Sequence, residues 1–226
     1  MRRSFALFLI AALLPLVITG AALGTWALRN QRTAIEAQAV SHAQFSATLL
    51  ERELSASMRA AQILAQSPAF DGPAIDETQF RALTARLQAS EPMWRFINVT
   101  DAAGVRLFSQ PETLSRPPGT MSVDLSSRRQ AADQRRPVVS GMINPEARPA
   151  AFGVRAPVVR GEATPYIVSL IIDPGELSAL LRAQNLPAGW DIEVIDGAGL
   201  VVAHSGAGPE RYGQPADARA LRVRAS

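Results

Sequence analysis

The chain of 226 residues is predicted to be an α+β protein built around one antiparallel sheet of five strands. Three observations predict this fold. An apolar N-terminal run continues into a long stretch without glycine or proline, a strand–turn–strand pattern at residues 93–109 recurs at residues 190–204, and three further strand candidates lie between the two copies. Five strands grouped as two plus three, with helical segments around them, are typical of a sheet flanked by helices.

The first element, residues 5–28, is an uncharged apolar run broken only by Thr, Gly and one Pro. At about 1.5 Å per residue, such a helix spans the roughly 30 Å hydrocarbon core of a bilayer. A cleaved signal peptide is the alternative, but helix-forming sequence continues past Arg29. We therefore expect a cytoplasmic tip and transmembrane helix over residues 1–29. The chain would cross the bacterial inner membrane once, with its bulk in the periplasm.

Residues 30–66 are predicted to form one long helix, because the segment lacks Gly and Pro and is rich in Ala, Glu, Gln, Arg and Leu. Apolar residues recur at spacings of three to five, at Phe45, Leu49, Leu54, Met58, Ala61 and Leu64. This stripe is compatible with a plain surface helix or with a stalk that pairs with a second copy in a homodimer. Ser67-Pro68 ends the helix.

The pattern at residues 93–109 is predicted to be a β-hairpin. Its β-branched and aromatic residues suit a pleated sheet, and Asp101 to Gly104 supplies the turn. Residues 194–202 repeat residues 99–107 position for position, which predicts two related sheet units in one chain.

The segment between the hairpins supplies the remaining elements. Asp76 begins a capping-box pattern and Asp173 precedes a proline, so each is predicted to open a short helix. The three strand candidates are residues 137–142, 150–160 and 166–172, and a further short helix is expected within residues 122–134.

Composition excludes several classes of function. The chain has no cysteine and two histidines, so it cannot build a disulfide, a thiolate metal site or a multi-histidine site. It has no P-loop, no nucleotide-binding glycine motif and no kinase catalytic motif. Its net charge of +3 is too small to imply nucleic-acid binding. We therefore expect no enzyme activity, metal, cofactor or nucleic-acid partner.

The order of these segments resembles the double Cache sensor domain, which is PAS-like. The resemblance is carried by Trp94–Gly104, Arg136–Ser140 and Ala156–Arg160, and later by Leu186–Trp190 and Gly213–Ala216. Such domains are the extracytoplasmic inputs of bacterial sensor histidine kinases, chemoreceptors and cyclic-dinucleotide enzymes such as diguanylate cyclases. The Leu-Pro-x-Gly-Trp motif is most similar to that of the double Cache domains found in histidine kinases of two-component systems.

The resemblance also implies domain boundaries. A membrane-distal PAS-like unit over residues 67–185 would hold a small-molecule ligand, and residues 186–226 would begin a membrane-proximal PAS-like unit that is truncated in this sequence. The chain is thus expected to be the input part of a longer protein, with a histidine kinase as its parent. The alternatives are the input of a chemoreceptor or diguanylate cyclase, and a structural or partner-binding envelope protein.

The candidates for ligand binding are seven residues within the predicted strands, all but the phenylalanine polar: Phe96, Asn98, Arg106, Ser140, Arg155, Tyr166 and Ser169. Alternation places Trp94, Phe96 and Asn98 on one face of the first strand. Arg106 and Arg155 would suit an anionic ligand, because a guanidinium can bond a carboxylate or phosphate bidentately. The alternative is that both lie on a solvated face or at a sheet edge.

Two further expectations concern the ligand and its surroundings. The amino-acid-binding version of the family carries an Arg-x-Trp-Tyr group, which this sequence lacks, so an amino acid ligand is not expected. The basic cluster around the short helix is expected to form a solvated helix face, and the alternative is that it contacts anions or a loop over the pocket. The cluster comprises Arg128, Arg129, Arg135 and Arg136.

Overall fold

The computed structural model describes residues 2–112, 117–143 and 149–216, and for residues 2–22 it describes the backbone alone. The chain forms two units, Met1–Phe45 and Ser46–Ser226. Helix α1, Arg2–Ala65, is continuous, so the predicted helical run has no break between anchor and stalk. Most of the predicted anchor, residues 5–28, lies outside the residues whose side chains are described. Over the part of the chain that was described, no helix is long and apolar enough to cross a membrane.

Three shorter helices follow in the second unit: α2 (Glu77–Ser90), α3 (Ser126–Gln134) and α4 (Pro174–Arg182). The predicted caps are confirmed at two of them. The Asp76 carboxylate accepts a hydrogen bond from the Gln79 N–H at 2.9 Å, and the Asp173 carboxylate accepts one from the Gly175 N–H at 2.8 Å. These bonds satisfy backbone donors that have no partner within the helix, and they fix where α2 and α4 begin.

The predicted five-stranded antiparallel sheet is confirmed. Its strands are β1 (Trp94–Asp101), β2 (Arg106–Gln110), β3 (Val138–Val139), β4 (Phe152–Arg160) and β5 (Ala163–Ile172). Their order across the sheet is β2-β1-β5-β4-β3, and every neighbouring pair is antiparallel. The central strand is therefore β5, and the hairpin of β1 and β2 forms one edge of the sheet, with β1 paired directly to β5.

One face of the sheet is apolar and packs against three helices. Val99, Val154 and Leu170 of the strands share a buried cluster with residues of the helices, including Leu64 of α1, Phe80 of α2 and Leu177 of α4. Burying each aliphatic side chain of this kind stabilises the fold by about 1.5–3 kcal/mol. This face is filled by protein side chains, so a ligand site must be sought on the other one.

A β-bulge in β1 corrects one expectation from alternation. The register of β1 against β5 shifts between Trp94 and Phe96. Trp94 consequently joins the apolar face, where its indole Nε1–H donates to the Ser57 hydroxyl of α1 at 3.1 Å. The prediction that Trp94 shares a face with Asn98 is therefore wrong, because an extra residue in one strand reverses the alternation.

The sequence repeat is also a structural repeat. A second hairpin joins β6 (Glu193–Ile195) to β7 (Val201–His204) in a two-stranded sheet. The turn of each hairpin is closed by a glycine N–H donating to an aspartate carbonyl, from Gly104 to Asp101 at 3.1 Å and from Gly199 to Asp196 at 3.0 Å. Both glycines have positive φ, at 97° and 81°. The same turn chemistry therefore produces the same hairpin twice.

We predict that Gly104→Ala destabilises the protein more than Gly199→Ala. Both substitutions force an L-residue into a left-handed backbone, which costs about 1–2 kcal/mol. A Cβ at position 104 would also lie 2.6 Å from Leu125 Cδ2, whereas a Cβ at position 199 has open space. Urea unfolding of the two variants measures the difference. Equal losses would show that the contact with Leu125 relaxes without cost.

Candidate functional site

A row of polar side chains crosses the second face of the sheet. The strand register places Asn98 of β1 opposite Ser109 of β2 and Ser169 of β5, and Ser169 opposite Arg155 of β4. Residues directly opposite one another in antiparallel strands share a face, so the four side chains form one continuous row. All four residues are buried. In the adjacent row, Arg106 is opposite Thr100 and is buried as well.

Helix α3 covers this row with polar residues of its own. Ser127, Arg128 and Ala131 are its buried residues. The Arg155 Nε–H donates to the Ser127 hydroxyl at 3.3 Å, and Arg128 Nη2 donates to the Asp101 carbonyl at 2.9 Å. A polar layer is thus enclosed between the sheet and α3.

The burial of Arg128 corrects the expectation of a solvated basic cluster. Arg128 is only 4% exposed. Its neighbours in the cluster, Arg129, Arg135 and Arg136, are exposed as expected. One arginine of the four therefore points inward from α3 while the other three meet solvent.

Three arginines are buried in this layer, with exposures of 6% for Arg106, 4% for Arg128 and 3% for Arg155. Burial, together with the charges of Arg155 and Arg106, lowers the pKa of Arg128 to about 10, although Asp101 and Asp124 act in the opposite direction. Burial also lowers the pKa of Arg155, again against the attraction of Asp124. The layer therefore holds positive charge that its own carboxylates do not fully offset.

Several buried polar atoms of the layer have no hydrogen-bond partner among the residues described. They are Asn98 Oδ1, Ser169 Oγ and Arg128 Nη1. An unpaired buried polar atom costs about 1–3 kcal/mol, so native proteins rarely leave several together without a ligand or water to satisfy them. Arg128 Nη1 and the Ser169 hydroxyl can donate to an anion, whereas Asn98 Oδ1 can only accept a hydrogen bond.

A glycine in β4 provides the space that the Arg155 guanidinium occupies. A Cβ at Gly153 would lie 3.0 Å from Arg155 Nη1 and 3.1 Å from the Leu170 carbonyl oxygen. Gly153 is opposite Ile171, which is two residues from Ser169 in β5 and therefore lies on the same face of the sheet. Position 153 therefore has to remain without a side chain for Arg155 to fold down over the sheet.

Four of the seven predicted ligand residues are brought together in this layer: Asn98, Arg106, Arg155 and Ser169. Phe96 is partly buried and opposite Ile171. The Ser140 hydroxyl lies at the end of β3, where it accepts from the Gly153 N–H at 2.9 Å and donates to the Gly141 carbonyl at 2.8 Å. Ser140 therefore borders the layer and is occupied by backbone contacts.

Tyr166 is not brought to this layer. It packs with the apolar cluster on the opposite face, where its ring centroid lies 5.8 Å from that of Phe70. Sequence reasoning missed Asp124 and Ser127, which approach from α3 and the segment before it. It named Arg128 but favoured a solvated position for it. No apolar stripe marks the buried side of α3, so the periodicity of the sequence contains no signal for it.

The layer is closed in this structure, as the low exposure of its three arginines shows. A groove of about 240 Å³ is lined by residues such as Gln62, Arg135, Pro157 and Arg160, and none of the three buried arginines lines it. Entry of a ligand into the layer therefore requires a movement of α3 or of the segment before it.

Comparisons with solved structures identify the fold. The ligand-binding domain of the Pseudomonas aeruginosa amino acid chemoreceptor PctC, in complex with GABA, is 15% identical, with 74% of each chain covered and a TM-score of 0.57. The sensory domain of the Campylobacter jejuni chemoreceptor Tlp3, with isoleucine bound, is 10% identical over 75% of this chain and 70% of the other, with a TM-score of 0.58. The extracellular domain of the histidine kinase mmHK1S-Z2 is 11% identical over 75% and 72%, with a TM-score of 0.57.

These neighbours are Cache-type sensory domains, and the chain has their fold, as the sequence resemblance predicted. No protein-family model and no curated protein sequence matches the chain. The likeness is therefore one of structure.

We predict that Ser169→Ala leaves the unliganded protein as stable as the original or makes it more stable by up to about 1 kcal/mol, because the substitution removes a buried hydroxyl without a partner. Ser140→Ala is the matched control and should cost about 1 kcal/mol, since its hydroxyl makes two backbone contacts. Thermal and urea unfolding measure both. A clear loss of stability in Ser169→Ala would mean that its hydroxyl is already satisfied.

We also predict that Asp124 makes the folding stability of the protein decrease at acidic pH. Burial raises the pKa of its carboxyl, but the Ser127 hydroxyl and the Arg155 charge outweigh burial and leave that pKa below its ordinary value. A carboxyl with a lower pKa in the folded state adds stability above its unfolded pKa and loses it as pH falls through the folded pKa. The stability difference between the original protein and Asp124→Asn should therefore shrink between pH 6 and roughly pH 3, as measured by urea unfolding. A difference that is independent of pH would contradict this.

Proposed function

We propose that the chain is the ligand-sensing input of a membrane-anchored signal transduction protein, and that its ligand is a small anion bound in the arginine layer. The observation that carries the proposal is the convergence of Arg106, Arg128 and Arg155 in one buried layer, where Arg128 Nη1 has no hydrogen-bond partner among the described residues. Buried charges are retained where they are paired, and an anionic ligand would complete this pairing.

The chemistry of the layer supports an anion over an amino acid. Guanidinium groups bind carboxylate or phosphate through parallel N–H donors, and the Asn98 amide and Ser169 hydroxyl could fix the orientation of such a ligand. Solved neighbours of the same fold bind GABA and isoleucine. This chain lacks the Arg-x-Trp-Tyr group of the amino-acid-binding version, so we expect it to differ from those neighbours in its ligand.

The anchor and the stalk support a sensor that works across a membrane. Leu23, Trp26 and Leu28 of the first unit are each more than 60% exposed, which suits residues that meet lipid or the interface. We propose an inner-membrane anchor over residues 5–28, a stalk over residues 30–66 that pairs in a homodimer, and a periplasmic sensor unit over residues 67–185. Residues 186–226 would belong to a second, membrane-proximal unit.

Within this class we propose a sensor histidine kinase as the parent protein. The Leu-Pro-x-Gly-Trp motif at Leu186–Trp190 favours a kinase parent, and a histidine kinase extracellular domain is among the structural neighbours. Chemoreceptor domains are structural neighbours too, so the type of output domain must be read from the downstream coding sequence. We expect a second membrane helix and a kinase domain there. Chemoreceptor signalling helices or a diguanylate cyclase domain in their place would overturn the kinase assignment and leave the sensor standing.

We predict that Arg128→Met abolishes stabilisation of the protein by small anions. Thermal unfolding would be measured against succinate, sulfate and phosphate, with GABA, isoleucine and serine as the amino acid set. A binding anion should raise the Tm of the original protein in a saturable way, because it binds only the folded state. Arg129→Met is the matched control: it removes the neighbouring, exposed arginine of α3 and should keep the response.

The same variants separate binding from folding. Arg128→Met relieves the burial of a charge but removes the hydrogen bond from Nη2 to the Asp101 carbonyl, which contributes about 0.5–1.5 kcal/mol. Urea unfolding without ligand therefore checks that the variant is folded before its response to anions is compared. Saturable stabilisation by amino acids alone would contradict the anion assignment. No saturable response to any member of either set would count against the ligand-sensing function itself.

A further inference from the structure

The segment before α3 places one carboxylate directly inside the arginine layer. Asp124 Oδ2 lies 3.5 Å from Arg155 Nη2 and accepts a hydrogen bond from the Ser127 hydroxyl. Its Oδ1 accepts from the Ser126 hydroxyl at 2.9 Å and from the Ser127 N–H at 3.2 Å. Asp124 is thus held firmly by the first turn of α3 and only loosely by the sheet.

The contact between Asp124 and Arg155 is long for a buried ion pair. Charge-assisted N–H···O bonds are usually about 2.7–2.9 Å. Elsewhere in the same unit, Arg95 Nη2 and Asp173 Oδ2 are 2.7 Å apart, although that pair is more exposed. The other link from Arg155 to α3, through the Ser127 hydroxyl, is also long at 3.3 Å. Arg155 therefore has a counter-charge nearby without a well-formed bond to it.

We propose that Asp124 is a resident counter-ion that an anionic ligand displaces from Arg155, so that its carboxylate limits the affinity of the site. The inference builds on the proposed anion site and assigns its specificity to one residue. A ligand carboxylate or phosphate would form the short, bidentate bonds to Arg155 that Asp124 does not form. The closed layer then opens by exchanging one negative group for another.

The displacement also gives the ligand a way to move α3. Asp124 accepts from the backbone N–H of Ser127 and so belongs to the beginning of that helix. A carboxylate driven away from Arg155 takes the first turn of α3 with it. Arg128, four residues later on the same helix, contributes the guanidinium whose Nη1 atom has no partner among the described residues.

The alternative role for Asp124 is to bind a cationic group of the ligand, and the two roles predict opposite changes in affinity. If Asp124 instead accepted the ammonium group of an amino acid ligand, removing its charge would weaken binding. If it competes with an anion for Arg155, removing its charge strengthens binding. The sign of the change therefore identifies both the role of Asp124 and the charge type of the ligand.

The test is calorimetric titration of the full chain and of Asp124→Asn with succinate, sulfate, GABA and serine. Asparagine has a side-chain oxygen at the same place as aspartate, so it can still accept from the Ser127 N–H. Asp124→Ser, which also keeps a side-chain oxygen, serves as the second variant if Asp124→Asn does not fold. Asp133→Asn is the matched control, because it removes an exposed carboxylate from the same helix.

Asp124→Asn is expected to bind succinate or sulfate about tenfold more tightly than the original protein, which corresponds to about 1.4 kcal/mol. Asp133→Asn should leave the affinity unchanged. Succinate or sulfate binding that is unchanged or weakened in Asp124→Asn would overturn the displacement and leave the proposed function intact. Binding of GABA or serine that is lost in Asp124→Asn would assign Asp124 to an ammonium group instead. No binding of any probe to any variant would overturn both proposals.

Discussion

Arg155 is the residue at which the five-stranded sheet and helix α3 meet. It projects from β4 in the centre of the polar row, contacts Ser127 of α3 and faces Asp124. A guanidinium that is 3% exposed requires a counter-charge, and the segment before α3 brings one to it. The position of α3 on the sheet therefore depends on electrostatics, whereas the helices on the other face are held by apolar packing.

Both faces are products of the same alternation along the same strands. In β4 and β5, Val154 and Leu170 point into the apolar cluster, while their chain neighbours Arg155 and Ser169 point into the polar layer. A slip of one residue would exchange the two sets, so the apolar burial that fixes the register also fixes the site. The large apolar face is what allows the unit to tolerate a charged layer that is destabilising on its own.

The sequence predicts the position of a residue only when its immediate neighbours show which face of a strand or helix it occupies. Ser169 and Arg155 could be predicted because each alternates with strongly apolar residues in a strand. The same rule excludes Tyr166, which is three residues from Ser169 and so faces the other way. Trp94 could not be placed, since a bulge leaves no mark in the pattern. Arg128 could not be placed either, because a polar buried helix face has the composition of a solvated one.

The two hairpins show how one turn can serve two purposes. In each, an aspartate carboxylate accepts backbone N–H groups of its own turn, from Val105 in the first copy and from Leu200 in the second. In the second copy the other oxygen, Asp196 Oδ2, also accepts from the Met142 N–H at 2.9 Å. Met142 follows the Ser140–Gly141 segment, whose hydroxyl holds Gly153 beneath the Arg155 guanidinium. Two hydrogen bonds and the backbone from Ser140 to Met142 thus connect Gly153, beside the Arg155 guanidinium, to the second hairpin. A rearrangement around Arg155 therefore has a physical path from the five-stranded sheet to that hairpin.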